Sequence, residues 1–320
     1  MEAARRVAEE VLAPAAEATD QSDSVPLTHM RALAAAGLSR PCPREVYEVL
    51  AGACGVSFFT WVQHHAPVRL LAASTNVTLR DRWLPRLLSG EVLGGVAFAH
   101  LRRPGPPAVA ATRTGNAWRI DGEAPWVTSW GLAGVFAVAA RADDRVLFAL
   151  VRGEAGEHLQ PSGPLRLLAM QASRTVRLRF DALTVPDGDV IAEQPFADWR
   201  ARDRVVTAQP NPAAFGVAAT CTRLLAAVDP PRAEALEAER LDCRAQAYGS
   251  DPSDVDRLVR LRAWSLELAQ RSAYALVVAT GGRAVQLEHP AQRLLREAAF
   301  YAIQAQTRPV RSATLDRLTR

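Results

Sequence analysis

The chain has 320 residues, of which 49% are apolar, and its formal net charge is +4. A chain of this length and hydrophobicity can bury a sizeable core, which excludes a disordered protein. The longest apolar runs, residues 135–140 and 146–151, are much shorter than the ~18 residues that a membrane span requires. The first residues include Glu2, Glu9 and Glu10 and contain no apolar signal core. The sequence therefore predicts no membrane span and a cytoplasmic location.

The positive charge is carried entirely by arginine, because the sequence contains no lysine. Alanine is also very abundant, and this combination is typical of the codon bias of a GC-rich genome. Basic residues do not form long runs, and aromatic residues make up only 6% of the chain. A nucleic-acid interface usually needs a clustered basic patch or a recognisable module. We therefore expect no nucleic-acid partner.

The four cysteines are scattered along the chain as Cys42, Cys54, Cys221 and Cys243. None stands at the spacing of a zinc site or of a redox pair. The sequence predicts reduced thiols and no metal site.

Residues 1–90 have the pattern of helices. Residues 31–36 are rich in alanine and precede Gly37, and glycine commonly follows the last residue of a helix. Residues 45–50 and 58–71 are further helical stretches. We predict an N-terminal helical domain over residues 1–90.

The pattern changes to strands over residues 91–195. Residues 109–114 and 117–120 read as two strands joined by the turn Gly115-Asn116. Residues 175–180 alternate between apolar and polar side chains, as a half-buried strand does. Because tight turns join these strands, we predict a middle antiparallel, β-barrel-like domain.

Helical patterns return in residues 196–320. Asn211 followed by Pro212 is a strong helix start, and a long pattern runs from Asp254 to Thr280 before Gly281-Gly282. We predict a C-terminal four-helix bundle. The fold class is therefore α+β, with the order helices, sheet, helices.

Four segments, in chain order, resemble motifs of the acyl-CoA dehydrogenase family. They are WLP…SGE at 83–91, DGEAPWVT at 121–128, LAMQASRT…FDALTVP at 168–186 and GG…P…R…REA at 281–298. The resemblance runs from about residue 60 to the end of the chain, and its strength lies in the ordered set. It implies that the protein uses FAD to oxidise the CH–CH bond of an acyl-CoA or acyl-carrier thioester, as an enzyme of lipid metabolism.

The resemblance also implies cofactor contacts. Trp126 would pack beside the flavin ring, with Val127 beside it, and Thr128 would hydrogen-bond to the ring edge. Backbone groups of Phe98 and Ala99 would face the same ring. The remaining contacts implied are Arg244 for the FAD pyrophosphate, Gly281 and Gly282 for the cofactor of a neighbouring subunit, and Thr307 in the segment beside the flavin. The structural alternatives are a core tryptophan and an edge-strand threonine at 126 and 128, a solvated basic loop at residues 100–105, and a helix stop at Gly281-Gly282.

The catalytic base of the family is the main departure. Family members commonly have YEGT after the last motif, but this chain has Ala305 where that motif has Glu, and alanine cannot accept a proton. Some branches place the base on an earlier helix, which points to Asp203. His100, His64 and His65 are the other candidates, and packing or surface exposure is the alternative for each histidine.

Three functions remain open at this point. The first is an acyl-CoA dehydrogenase-like flavoprotein with a relocated or missing base. The second is a flavin monooxygenase or oxidase, because a branch resembling dibenzothiophene monooxygenase uses flavin, oxygen and histidine. The third is a non-catalytic relative that acts as a binding partner. The resemblance further implies a homodimer or homotetramer, with a hetero-oligomer as the alternative, and an electron-transfer partner or oxygen as electron acceptor.

Overall fold

The computed structural model describes residues 1–319. Helices occupy the N-terminal part, with a short π-helical turn at Ala8–Leu12. They are α1 Glu2–Val7, α2 Ala16–Asp20, α3 Leu27–Ala35, α4 Arg44–Ala53, α5 Gly55–Ala72 and α6 Val77–Leu88. The predicted helical segments are thus confirmed, and α5 is longer than the pattern at 58–71 indicated.

The middle of the chain forms a single sheet of eight strands. The strands are β1 Gly94–Ala97, β2 Val109–Thr114, β3 Ala117–Val127, β4 Val135–Ala142, β5 Arg145–Arg152, β6 Leu159–Pro161, β7 Val176–Pro186 and β8 Val190–Pro195. Their order is β6-β7-β3-β2-β4-β5-β8, with β1 beside β4. The turn predicted at Gly115-Asn116 joins β2 to β3.

The prediction of a purely antiparallel sheet is wrong in one respect. Strand β1 pairs with β4 in parallel, with Gly94 opposite Val135, and β2 touches β4 in parallel at Ala110. Parallel neighbours need a long connection. Here the whole β2–β3 hairpin lies in the connection from β1 to β4, so local turn patterns in the sequence could not reveal the pairing.

Helices resume directly after the sheet. They are α7 Phe196–Ala208, α8 Pro212–Leu225, α9 Pro230–Gly249, α10 Val255–Thr280, α11 Pro290–Ile303 and α12 Arg308–Leu318. The predicted helix start at Asn211 is confirmed, because its side chain accepts a hydrogen bond from the amide of Ala213. Asp254 caps α10 in the same way through the amide of Arg257. Such caps satisfy amides that have no partner within the helix.

The helices from both ends of the chain share one apolar core, which includes Leu50, Val217 and Leu294. A second core lies within the sheet, around Ile120 and Val138. The proposed boundaries at residues 90 and 195 remain a prediction, but the order of helices, sheet and helices is that of the α+β architecture that the sequence indicated.

A buried ion pair connects the two helical regions. Arg293 and Glu297, one turn apart on α11, form a salt bridge of 2.8 Å, and Arg293 also pairs with Glu17 of α2 at 3.0 Å. The amide of Gly55 donates to Glu297 Oε1 at 3.1 Å. A Cβ atom at Gly55 would lie only 2.5 Å from Glu297 Cδ, so the start of α5 needs glycine to approach α11 this closely.

Two neighbouring histidines of α5 are buried and fully engaged. His64 accepts a hydrogen bond from the amide of Gly94 at 2.9 Å and donates to the carbonyl of Leu87 at 3.1 Å. His65 contacts the Tyr47 hydroxyl and the carbonyl of Leu38, each at 3.1 Å. Burial lowers the pKa of His64 to about 4 and that of His65 to about 3.

We predict that these histidines make the fold sensitive to acid. In the unfolded chain, histidines take up protons near pH ~6.5. In the folded chain, His64 and His65 take up protons only at the lower pH values that match their lowered pKa. The free energy of unfolding should therefore fall as the pH drops below ~6.5, by up to about 1.4 kcal/mol per pH unit for each histidine. Urea denaturation at several pH values between about 4.5 and 7 measures this slope.

The variant His64→Gln should reduce that slope by the contribution of one proton. The matched control is His158→Gln, because His158 is exposed. An identical slope in the wild type and in His64→Gln would contradict the assignment.

Candidate active site

A cavity of about 850 Å³ opens between the sheet and the C-terminal helices. Its walls come from five places: the segment after β1, strand β4 through Arg141, helix α7, the first turns of α10 and the residues that begin α12. Residues that line it include His100, Arg102, Asp203, Thr207, Val259 and Thr307. The cavity therefore brings together three residues that the sequence analysis selected from distant segments, namely His100, Asp203 and Thr307.

Asp203 is the carboxylate on the α7 wall of the cavity. Arg102 donates two hydrogen bonds to it, from Nε to Oδ2 at 2.9 Å and from Nη2 to Oδ1 at 2.7 Å. Both side chains are largely shielded, with 14% of Asp203 and 23% of Arg102 exposed. A bidentate guanidinium fixes the plane of a carboxylate as well as its position. Asp203 is therefore oriented by a partner 101 residues away in the chain.

His100 lines the cavity from a short 3-10 helix after β1. Its Nε2 is 3.0 Å from the carbonyl of Ala139. Burial, opposed by the Ala139 carbonyl and aided by Arg103, lowers the pKa of His100 to about 4. The ring is therefore neutral near pH 7, with Nε2 donating to Ala139. Within residues 1–319, Nδ1 is buried without a hydrogen-bond partner, which leaves it as an acceptor.

The structure does not bring His64 and His65 to this cavity, which corrects their choice as candidate bases. Both are buried in α5, and both ring nitrogens of each are engaged, as described above. Their lowered pKa values also make them poor bases near neutral pH. They connect α5 to neighbouring backbone instead.

Trp126 and Thr128 lie at the end of β3. Trp126 is 54% exposed, and its backbone has a φ of 60°, in the left-handed region. Thr128 is buried, and its hydroxyl is 3.2 Å from that of Thr175, which in turn is 2.8 Å from that of Ser173. Three hydroxyl hydrogens serve two contacts in this chain. One hydrogen is therefore left to donate to another acceptor.

The neighbouring cofactor candidates differ in their surroundings. Phe98 and Ala99, just after β1, are half-buried, whereas Val127 is buried in the sheet core. Only backbone groups of Val127 can therefore reach a ligand.

Arg244 is not available as the sequence analysis supposed. Its Nε lies 2.8 Å from a carboxylate oxygen of Glu48, and its Nη2 lies 3.6 Å from Glu45. Both acidic residues belong to α4, so Arg244 ties α9 to α4. A guanidinium that is already paired with two carboxylates is a poor site for a pyrophosphate.

Gly281 and Gly282 follow the last residue of α10. Both are exposed, Gly281 has a φ of 70°, and a Cβ atom at either position would meet nothing within 4 Å. Glycine thus ends the helix here, and the surface around it is open. Ala305, in the turn between α11 and α12, is exposed and also left-handed, with a φ of 50°. Thr307 is half-buried at the start of α12.

The contact of Arg102 was not predicted from the sequence. A solvated loop was one alternative for the basic segment that begins at His100, yet Arg102 turns inward to Asp203. No local pattern predicts this pairing, because the two residues are distant in the chain. The local signal was an arginine two residues after a histidine that follows a strand.

Within residues 1–319, no three or more His, Cys, Asp or Glu side chains cluster in a way that could hold a metal ion. The helices of this part of the chain also include none with the length and hydropathy of a membrane span.

Comparison with solved structures identifies the fold. The chain superimposes on glutaryl-CoA dehydrogenase in its glutaryl-CoA complex with a TM-score of 0.82, at 16% identity, over 99% of this chain and 94% of the other. It superimposes on butyryl-CoA dehydrogenase from Megasphaera elsdenii with a TM-score of 0.78, at 15% identity, over 100% and 97%. The architecture is thus that of the acyl-CoA dehydrogenases.

Comparison of sequences agrees. The chain is 25% identical to mitochondrial isovaleryl-CoA dehydrogenase from Pongo abelii over 154 residues, which is 45% of this chain and 36% of that protein. It is 23% identical to mitochondrial 2-methylacyl-CoA dehydrogenase from Solanum tuberosum over 306 residues, which is 83% of this chain and 72% of that protein. No protein-family model matches.

The curated and structural neighbours thus consistently point to one family, and the resemblance predicted from the sequence is confirmed: the chain is acyl-CoA dehydrogenase-like in sequence and in fold. The matched segments span only about a third of the isovaleryl-CoA dehydrogenase and about a fifth of a very long-chain acyl-CoA dehydrogenase from Macaca fascicularis. Activity, substrate and partners are therefore matters for proposal.

Proposed function

We propose that the protein is an FAD-dependent oxidoreductase that oxidises the CH–CH bond of an acyl-CoA or acyl-carrier thioester, with Asp203 as the relocated base. The observation that carries this proposal is the bidentate Arg102–Asp203 pair in the wall of the 850 Å³ cavity. The fold supports the reaction class, and the position of Asp203 on α7 agrees with branches of the family that carry the base on an earlier helix.

The residues of the cavity have complementary tasks in this reaction. Asp203 would accept the α proton of the thioester, and Arg102 would keep its carboxylate in one orientation. His100 is neutral and has one acceptor nitrogen in the same wall. It would therefore accept a hydrogen bond from a hydroxyl or amide of the substrate, or from a water, and orient that group. Ala305 contributes no charged group, which leaves Asp203 as the group best placed to act as base.

The end of β3 supports FAD as the cofactor. Trp126 exposes a large aromatic surface, and the hydroxyl chain from Thr128 to Ser173 has one hydrogen to donate. These groups suit a ring system with acceptor atoms at its edge. When bound, FAD supplies the hydride acceptor, and Trp126 and Thr128 would hold the ring edge. A solved neighbour, glutaryl-CoA dehydrogenase from Mycobacterium smegmatis in complex with FADH2, has a TM-score of 0.77 at 18% identity.

We predict that Trp126→Ala raises the Kd for FAD at least about tenfold, because an aromatic contact with a ring is lost. Thr128→Val should raise it about fivefold through loss of one hydrogen bond. Fluorescence titration of the apoprotein with FAD measures both values. Trp118→Ala is the control, since Trp118 lies at the opposite end of β3 from Trp126. Unchanged FAD affinity in both Trp126→Ala and Thr128→Val would contradict the placement of the cofactor.

We predict slow flavin reduction that depends on Asp203. Anaerobic mixing with a panel of saturated acyl-CoA thioesters should bleach the flavin slowly, because the family's usual carboxylate is absent at Ala305. Asp203→Asn should slow bleaching by a further 10²–10⁴-fold, which is roughly the contribution of a general base. Ala305→Glu should increase the rate, because it restores a carboxylate. Stopped-flow absorbance of the flavin is the measurement.

Asp198→Asn is the matched control for this experiment, because Asp198 is an exposed carboxylate in the first turn of the same helix. It should leave the rate unchanged. Rapid bleaching by the wild type that persists in Asp203→Asn and in His100→Ala would show that the base lies elsewhere.

A flavin monooxygenase or oxidase is the second candidate. The observation that favours it is the neutral, partly unpartnered His100 in the cavity, together with the missing carboxylate at Ala305. This function predicts that acyl-CoA thioesters never bleach the flavin, whereas reduced flavin reacts rapidly with oxygen. A protein that cannot be loaded with FAD at all would instead support a non-catalytic binding role.

We also propose that the protein is a homo-oligomer, most simply a homodimer. Several large apolar side chains on and around the end of α10 are exposed: Tyr274, Val278, Val285 and Leu287. Tyr274 and Val278 are four residues apart on α10 and share one face. Exposed apolar patches of this kind commonly mark an interface. The open surface at Gly281-Gly282 adjoins this patch in the chain.

We predict that light scattering gives about 69 kDa, twice the chain mass of 34.6 kDa. The variant Val278→Glu should shift the mass toward the monomer, because it places a charge in the interface. Val228→Glu is the control, since Val228 is similarly exposed but lies after α8. A wild-type mass of about 35 kDa would refute the proposal.

A further inference from the structure

One arginine in the middle of α10 is buried without an acidic partner. Only 5% of Arg262 is exposed, and no carboxylate within residues 1–319 lies within salt-bridge distance of its guanidinium. A buried charge without compensation is strongly unfavourable. Burial lowers the pKa of Arg262 to about 10, with the charge of Arg102 as the second cause, so the group stays charged near pH 7.

Carbonyl groups at two helix ends take the place of a carboxylate. Nη1 of Arg262 donates to the carbonyls of Thr207 and Gln209, at 3.1 and 3.0 Å, and Nη2 donates to the carbonyl of Gln304 at 2.9 Å. Gln209 follows the last residue of α7, and Gln304 follows the last residue of α11. The C-terminal end of a helix carries about half a negative charge. Two such ends therefore compensate one guanidinium.

Both capped segments lead into the cavity. Thr207, in the last turn of α7, lines it, and its hydroxyl donates to the carbonyl of Asp203 at 2.7 Å. Thr307, three residues after Gln304, also lines it. A second link between the segments runs from Asn211 Nδ2 to Gln304 Oε1, at 3.1 Å.

We infer that Arg262 is a positioning residue for the candidate active site. It fixes the end of α7, which carries Asp203, relative to the turn at 304–307, which contains Ala305, where the two segments meet at the cavity. This inference rests on the proposed function for its catalytic consequence, whereas the positioning itself is a property of the fold.

Hydrogen–deuterium exchange tests the positioning without any substrate or cofactor. In Arg262→Met, the amides of residues 207–209 and of 304–307 should exchange at least about tenfold faster, and both segments should change together. Arg262→Lys keeps the charge and three donors, so it should restore part of the protection and also remain folded if the Met variant does not. Arg240→Met and Arg240→Lys are the matched controls, because Arg240 is similarly buried on α9 but pairs with Glu237.

The inference is overturned if exchange in the two segments of Arg262→Met is unchanged, or if it rises no more than in the rest of the chain. If Arg262→Met does not fold, the same criteria apply to Arg262→Lys. Flavin reduction adds a second test. Arg262→Met should lower kcat at least about tenfold while KM stays within about twofold, and Arg262→Lys should recover part of kcat. If the wild type shows no flavin reduction, the proposed function fails, and the exchange data still decide whether Arg262 positions the two segments.

Discussion

The buried ion pair between Arg293 and Glu297 is the interaction on which the arrangement of the two helical regions depends. These regions are separated in the chain by the entire sheet, yet they share one apolar core. The pair joins α11 to Glu17 of α2 and to the backbone at the start of α5. Burial raises the pKa of Glu297, and Arg293 together with the Gly55 amide opposes that shift. Breaking such a pair leaves a buried charge, which typically costs ~3–5 kcal/mol.

The same helix links this junction to the candidate active site. Near its start, α11 is fixed by Arg293 and Glu297; at its end, Arg262 binds the carbonyl of Gln304. The turn that contains Ala305 is therefore held at the end of a helix whose position is set by the core. A site that needs the end of α7 and the turn at Ala305 in a defined arrangement benefits from being built on such rigid elements.

The sequence predicted the elements better than their long-range contacts. Helix starts at Asn211 and Asp254 and the hairpin at 115–116 were readable because caps and turns are local. The parallel pairing of β1 with β4 was not, because it joins segments about 40 residues apart, as Gly94 opposite Val135 shows. The family resemblance proposed which segments face the flavin, but it did not predict the partner of each charged or titratable side chain.

The charged and titratable residues illustrate that limit. Arg244 was assigned to a phosphate, but Glu48, which lies 196 residues away, binds it. His65 looked available for catalysis, but Leu38 and Tyr47 engage both its nitrogens. Arg262 was overlooked, although it occupies the apolar stripe of α10. It lies four residues after Leu258 and three after Val259. An arginine in such a stripe is a signal that sequence reasoning could have used.

The backbone conformation of Trp126 carries a cost in stability. A bulky residue in the left-handed region is held at a cost of about 1–2 kcal/mol relative to ordinary backbone. Because the side chain is half exposed, burial within this chain returns only part of that cost. Selection for stability alone would favour glycine there. A tryptophan kept at such a position agrees with the flavin contact proposed above, for which a loss of stability would be tolerated.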